Sequence, residues 1–432
     1  MVTHPAPGQN LAPAAPGGTP LPFPQPLITL LSMGNTSSHV FSIALLFLML
    51  TSLSCSSLGG KPRAIKLPGV DELPAVQELP NPFRMNDGSP VTSRNDWAAR
   101  RQELADAILY YEYGQMPPPP RNVRASEVAS KPVEGLDATE KQITLTMGPD
   151  RKVSTQLDLT IPAGKGPFPV VISGDLCWGK VTPDIRAMVI KRGYILAEFN
   201  RTQIAPDSKD RTTGAYPLYP DYDWRALAAW AWGYHRVVDY LMTQDYVDKS
   251  HIAITGHSRG GKATLLAGAL DERIALTNPN NSGCGGAGCY RFQAAKSEDI
   301  AAILKNFPFW FSPRFSDFIG KTDRLPFDQH SIKALVAPRA LLSTEALGDL
   351  WANPEGTQQT HLAAKVVYDF LDVPDKIGIY FRPGKHEHNL QDWTVLIDFA
   401  DKVFFGKVVD RKFNEMAFPD SPKRFTWTAP GK

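Results

Sequence analysis

Two early stretches alternate strictly between apolar and polar residues: Lys141-Gln-Ile-Thr-Leu-Thr-Met147 and Ser154-Thr-Gln-Leu-Asp-Leu-Thr-Ile161. A period of two turns one face of a strand to a core and the other to water. The intervening Gly-Pro-Asp supplies a turn, so the pair is expected to be an antiparallel hairpin at a sheet edge. Later apolar runs do not alternate. Pro167 to Ser173, Tyr194 to Phe199, Pro338 to Thr344 and Ile377 to Phe381 are nearly continuous, the pattern of strands covered on both faces. Around them helical spacing takes over. Ser93 or Asn95 caps a helix carrying Leu104, Ile108 and Tyr111, which must stop before the run Pro117 to Pro120. Ala187 to Arg192 closes a crossover helix, Asp223 to Leu241 is a long helix apolar on more than one side, and a last helix begins near Gln391. An antiparallel start followed by strand-helix alternation predicts an α/β fold, a mostly parallel central sheet with helices on both faces in a three-layer sandwich. No internal repeat interrupts it. A single domain over 91–432 follows, preceded by a Pro/Gly-punctuated linker or extended arm over 56–90.

Composition adds exclusions. A net charge of +2 makes no case for nucleic acid or an acidic surface as partner. Only 21% of residues are charged while 38 are proline, which favours long ordered loops over a helical bundle. The four cysteines are Cys55, Cys177, Cys284 and Cys289, too few and too scattered for a disulfide scaffold. Residues 1–55 read as a Pro-rich leader and targeting segment. Its apolar centre, Val40 to Leu50, is too short to span a bilayer and suits the central region of a secretory signal, with Met33 as an alternative start. Export is therefore expected, to a periplasmic, secreted or envelope-attached location. Cys55 offers a lipid-anchor site, although Ser52 stands where such signals usually carry leucine.

The stretch His251-Ile-Ala-Ile-Thr-Gly256-His257-Ser258-Arg259-Gly260 carries candidate chemistry. A β-branched run enters Gly-x-Ser-x-Gly and a helix-forming segment, Ala263 to Leu270, leaves it, which is the arrangement of a nucleophile elbow. A bare Gly-x-Ser-x-Gly would occur by chance in about one chain of this length in seven, and the strand before and helix after lift it above that level. Ser258 is the expected nucleophile. It needs a base, and the order in such folds is serine, acid, histidine. His330 and His361 fall in helix-like segments and read as structural or solvent-facing. His386 and His388 lie just beyond the last strand, and the pattern alone does not choose between them. Of the acids, Asp349 sits in a turn beyond the penultimate strand beside Trp351 and is favoured over Glu345. Asp299, Asp323 and Asp328 read as solvated.

The run Gly256-His-Ser-Arg-Gly-Gly-Lys262, followed by Arg273 to Ala287, Asn306-Phe-Pro-Phe-Trp-Phe311, Val336-Ala-Pro-Arg339, Gly348-Asp-Leu-Trp-Ala-Asn-Pro-Glu-Gly356 and the His-Glu-His loop, resembles the glucuronoyl esterases, carbohydrate esterase family 15, with its bacterial branch closer. The resemblance covers roughly residues 90 to 407 and implies an α/β-hydrolase that cleaves esters of glucuronic or 4-O-methylglucuronic acid, as in lignin-glucuronoxylan linkages. It assigns Ser258 as nucleophile, Arg259 to the oxyanion, and Lys262, Trp351 and Glu298 to the substrate. His388 aligns with the second histidine of the family's Gly-His-x-His pattern and is thereby taken as the base.

Departures from the pattern matter too. Fungal members place a catalytic Glu where this chain has Asn281, so the acid is expected to be Asp349, as in many bacterial members. The fungal disulfide bracketing the site is absent, since its positions are His257 and Asn389, and Phe309 replaces a histidine common in bacterial members. The implied chemistry is a Ser-His-Asp acyl transfer by a monomer needing no metal or cofactor, its partner a glucuronate ester or glucuronoxylan-lignin fragment. An esterase for acetylated xylan or another sugar ester, and a non-catalytic envelope protein that binds glycans, are the alternatives.

Overall fold

The computed structural model describes residues 61–431; the leader, its apolar run and Cys55 lie outside the described residues. The arm after residue 60 is extended apart from one 3-10 turn, Val70–Glu72, yet it is packed down, with Leu79 and Phe83 buried. Helix α1 (Arg94–Ile108) starts at Ser93, whose hydroxyl accepts from Asp96 N at 3.1 Å while the Asp96 carboxylate reaches back to Ser93 N. It runs on through a π-helical turn, Leu109–Tyr113.

Strands β1 (Arg124–Pro132), β2 (Ala138–Met147) and β3 (Val153–Pro162) form an antiparallel meander. The expected hairpin is β2–β3, paired from Met147 opposite Val153. It is not at the edge. β1 is, and it shows no apolar alternation because all nine of its residues are exposed. Then come β4 (Phe168–Ser173), α2 (Pro183–Lys191), β5 (Ile195–Phe199), α3 (Ala226–Leu241), β6 (Val247–His257), α4 (Arg259–Leu270), β7 (Leu276–Asn280), α5 (Ile300–Asn306), α6 (Gln329–Val336), β8 (Ala340–Ala346), α7 (Pro354–Phe370), β9 (Ile377–Arg382) and α8 (Leu390–Phe405). The nine strands lie in the order β1-β2-β3-β5-β4-β6-β7-β8-β9, parallel from β5 onward.

Two apolar cores sit on either side of this sheet. One holds α1, α3, α4, α6 and α7, and the other holds α2 and α8. Burial explains the continuous apolar runs: every residue of β5 and 14 of the 16 in α3 are buried. Each fully buried Trp of α3 removes on the order of 150–250 Å² from water, roughly 4–6 kcal/mol as an upper bound. Trp230 also donates its indole N–H to Ala205 O at 2.8 Å, tying α3 to the loop beyond β5. This is the α/β-hydrolase fold, and its functional loops leave the carboxyl ends of β4, β5, β6, β7, β8 and β9 together.

Candidate active site

At the end of β6 the chain turns into α4 within one residue, Ser258, whose φ of 55° and ψ of −122° lie where few non-glycine residues go. Such a conformation costs about 1–3 kcal/mol and needs support on both sides. Ser258 N donates to Asn280 O (3.0 Å), and His257 N donates to the half-buried Asp175 carboxylate (2.8 Å), itself paired with Arg201. The two flanking glycines are steric necessities. A Cβ on Gly256 would stand 2.6 Å from Thr264 Oγ1, and one on Gly260 would overlap the Asp175 carboxylate. Ser258 uses no side-chain cap bond. Arg259 occupies the first position of α4, where a backbone N–H has no intrahelical acceptor.

Asp349 is held just beyond β8, 6% exposed, and its carboxylate meets Nδ1 of His386 at 2.5 Å. The structure thus brings Asp349 to His386, and not to the expected His388. His388 is half-buried, its ring stacked on Trp393 (5.1 Å between ring centres), with a buried and unpartnered Nε2. Burial drives its pKa well below the ordinary histidine value, and the neighbouring His257 and Arg382 push the same way. His386 instead keeps 45% of its side chain exposed and lies 4.4 Å, ring to ring, from His257, the residue before Ser258.

The loop path decides which histidine faces out. The carbonyl of Glu387, between the two, is gripped by Asn281 Nδ2 (2.9 Å) and Arg382 Nη2 (2.7 Å). With that peptide fixed, its neighbours project differently. Asn281 does more: its Oδ1 accepts from Ala346 N at 2.7 Å, so one buried amide joins the end of β8, which leads to Asp349, to the histidine loop. Leu347 N to Arg382 O and Gly348 N to Gly384 O, both 2.9 Å, complete the seam. Arg382 is buried and pinned by Asp392 at 2.8 Å.

The substrate-side residues expected from the sequence gather around this seam. Lys262 is buried and donates to Ser282 O and Cys284 O, both at 2.5 Å, which leaves one N–H for another acceptor. Burial lowers its pKa, opposed by the charge of Glu298. Glu298 is itself buried, raised by desolvation with Lys262 pulling it back, and its backbone N–H donates to Trp351 O at 3.1 Å. Trp351 stands 51% exposed beside the acid turn. The Arg259 guanidinium is braced by Asp207 at 2.6 Å and lies 4.8 Å over the ring of Trp310, whose indole N–H donates to the same carboxylate (2.7 Å).

Other expectations change. Asp328 is not solvated: it is fully buried and accepts from the N–H groups of Tyr290, Arg291 and Gln329. Asp299 caps α5. Of the two readings left open for His330 and His361, structural or solvent-facing, the first holds: both are buried. Glu345 is buried with neither oxygen hydrogen-bonded, and desolvation raises its pKa well above the usual carboxylate range. Cys284 and Cys289 are free thiols. Sequence reasoning missed Asp207, whose loop carries no pattern. It also missed Asp175, which its position just beyond β4 could have flagged.

The family model described as glucuronyl esterase, fungi, matches residues 143–372. The chain is 34% identical over 364 residues to 4-O-methyl-glucuronoyl methylesterase 1 of Wolfiporia cocos, covering 80% of this chain and 85% of that protein. Among solved structures it resembles a carbohydrate esterase family 15 glucuronoyl esterase from Caldicellulosiruptor kristjansonii (TM-score 0.71, 30% identity, 83% of this chain and 98% of that one). It also resembles a serine-to-alanine variant of the Sporotrichum thermophile glucuronoyl esterase in complex with methyl 4-O-methyl-β-D-glucopyranuronate (TM-score 0.65, 28% identity, 82% and 92%). With the elbow serine, the Asp349–His386 pair and these likenesses together, the chain belongs to the glucuronoyl esterases, carboxylic ester hydrolases of carbohydrate esterase family 15.

Proposed function

We propose that this chain hydrolyses alkyl or aryl esters of glucuronic and 4-O-methylglucuronic acid through a Ser258–His386–Asp349 triad. The observation that carries the reading is the contact of Asp349 with His386, on a loop sewn to the elbow, in a chain of this family. His386 takes the Ser258 proton through Nε2, the oxygen attacks the C6 carbonyl, and negative charge develops beside the first N–H of α4. His386 returns the proton to the departing alcohol. Water then enters, loses a proton to the same nitrogen, and releases free glucuronate and the serine.

Asp349 holds the Nδ1 proton and offsets the imidazolium. The Arg259 guanidinium, kept in place by Asp207 and Trp310, adds an oxyanion contribution of ~3 kcal/mol if it acts as other such donors do. The remaining Lys262 N–H, Glu298 and Trp351 supply polar and flat surfaces suited to uronate hydroxyls and ring. An acid carried beyond β8 is the trait that the sequence resemblance associates with bacterial members, and we place the chain with them. The apolar run Val40 to Leu50 supports export; among the described residues no helix is long and apolar enough to cross a membrane.

The test is a side-by-side assay of benzyl glucuronate and an acetylated xylo-oligosaccharide. Preferential cleavage of the glucuronate is expected. Preferential deacetylation would replace the reading with that of an acetyl esterase.

A further inference from the structure

A second cavity, of about 530 Å³, opens between the loop after β5 and the segment from α5 to residue 319. Its walls carry Lys209, Arg211, Arg225 and Lys305 and no Asp or Glu, over a floor that includes Tyr216 and Phe309. Lys209, Arg225 and Lys305 form no ion pair with any described residue. Arg211 lies flat on Tyr216 (4.1 Å) and gives its N–H groups to the carbonyls of Trp224 and Tyr222 rather than to a carboxylate. Burial, and then the like charge of Arg225, hold its pKa below the ordinary arginine value.

Three carboxylates nearby in sequence have partners of their own. Asp207 is held by Arg259 and Trp310, Asp210 by Thr212 and Thr213, and Asp223 by Arg314 and Gln115 N. Arg225 also precedes the first turn of α3, a 16-residue helix with no side-chain cap, which adds positive potential at the same wall. Four cations at one wall, none ion-paired with a described residue, set up a positive potential that draws an anion. The half-buried Phe309 supplies a flat face that suits a sugar ring.

We propose that this cavity is an accessory subsite for a free uronic-acid residue of the same acidic glycan that presents the ester to Ser258. The inference rests on the esterase reading, and its location supports it. Asp207, which braces Arg259 beside the nucleophile, directly precedes Ser208 and Lys209 of the cavity wall, and Trp310 directly follows Phe309. A glycan seated at Ser258 would thus have its neighbouring acidic sugars within reach of these cations. Recognition is a charge-assisted carboxylate contact to Arg225 and Lys305, with a sugar face against Phe309.

The test compares wild type with Arg225→Gln/Lys305→Gln on three substrates by initial rate: benzyl glucuronate, a glucuronoxylan with a minority of its uronates methyl-esterified, and the same polymer fully esterified. The double variant should lose about tenfold in kcat/KM on the partly esterified polymer, the worth of one charge-assisted hydrogen bond. It should match wild type on the other two. Equal rates on both polymers, or an equal loss on both, would overturn the subsite. Lys305→Gln alone changes only an exposed side chain and should show the same ordering, which guards against a folding defect. Should wild type leave benzyl glucuronate intact, the esterase reading falls, and the subsite is then judged by affinity electrophoresis. Retardation of wild type by de-esterified glucuronoxylan but not by neutral xylan, lost in the double variant, supports it; identical migration overturns it.

Discussion

Asp349→Asn weighs the proposed acid with least disturbance elsewhere. The amide is isosteric, the site is 6% exposed, and the surrounding turn is held by backbone bonds that the exchange leaves alone. When His386 becomes an imidazolium, its charge centre lies about 4 Å from the carboxylate. At an effective dielectric near 20 that attraction is worth ~4 kcal/mol, or about three powers of ten in rate. Because 45% of the His386 side chain meets water, screening removes part of this, and at least about a hundredfold should remain. A second effect adds to the first. The Asn amide can donate to Nδ1, moving the ring proton to Nε2 and removing the lone pair that Ser258 needs.

Neither effect touches substrate, so kcat should carry the loss. With benzyl glucuronate at pH 7, we expect kcat to fall by roughly 10²–10³ while KM stays within about threefold. Glu345→Gln, replacing a carboxyl whose pKa burial raises well above the ordinary carboxylate range and which makes no hydrogen bond, should keep kcat near that of wild type. An Asp349→Asn enzyme within tenfold of wild type, or a larger kcat loss from Glu345→Gln, would refute the assignment.

Three further outcomes are expected. His386→Ala should lose about a thousandfold in kcat with little change in Tm, whereas His388→Ala should lower stability by ~2–4 kcal/mol and keep most of the activity, and the reverse pattern would restore His388 as base. Asn281→Ala removes both the Ala346 and the Glu387 bonds, so it should cost ~1–3 kcal/mol in urea denaturation and depress kcat more than KM, while an unaltered enzyme would dissociate Asn281 from the seam. Burial lowers the His330 pKa to about 4 from an unfolded value near 6.5, so the unfolded chain takes up a proton that the native state refuses and stability falls as pH drops through that window; His330→Gln should make the slope between pH 6 and 4.5 shallower by ~1.4 kcal/mol per pH unit, and an unchanged slope would contradict the burial account.

Much of this site was legible because its chemistry sits in local patterns. The elbow needs two glycines and a strand-to-helix switch, and all of these are contiguous. Asp349 stood out as the candidate acid because it lies in a turn beyond a recognisable strand. The histidine choice was not local. His386 and His388 differ only in which way the loop throws them, and that is set by Asn281 and Arg382 holding the carbonyl between. A motif alignment counts residues and does not see that grip. Asp328 misled for the opposite reason: a carboxylate in a polar connecting segment looks solvated until three backbone N–H groups close around it. Strand β1 left no trace because an edge strand with both faces wet has no period to read. Asn281 was noticed as a missing acid, and its positive role as a clasp needed coordinates.

The central claim is that Ser258 attacks the C6 carbonyl of a glucuronate ester. Its most direct test is the turnover of methyl glucuronate by Ser258→Ala beside wild type, with Tm confirming that both are folded. Hydrolysis by wild type, and its reduction by about a thousandfold or more in the variant, is the predicted result. A folded Ser258→Ala protein that still hydrolyses the ester at a comparable rate would contradict it.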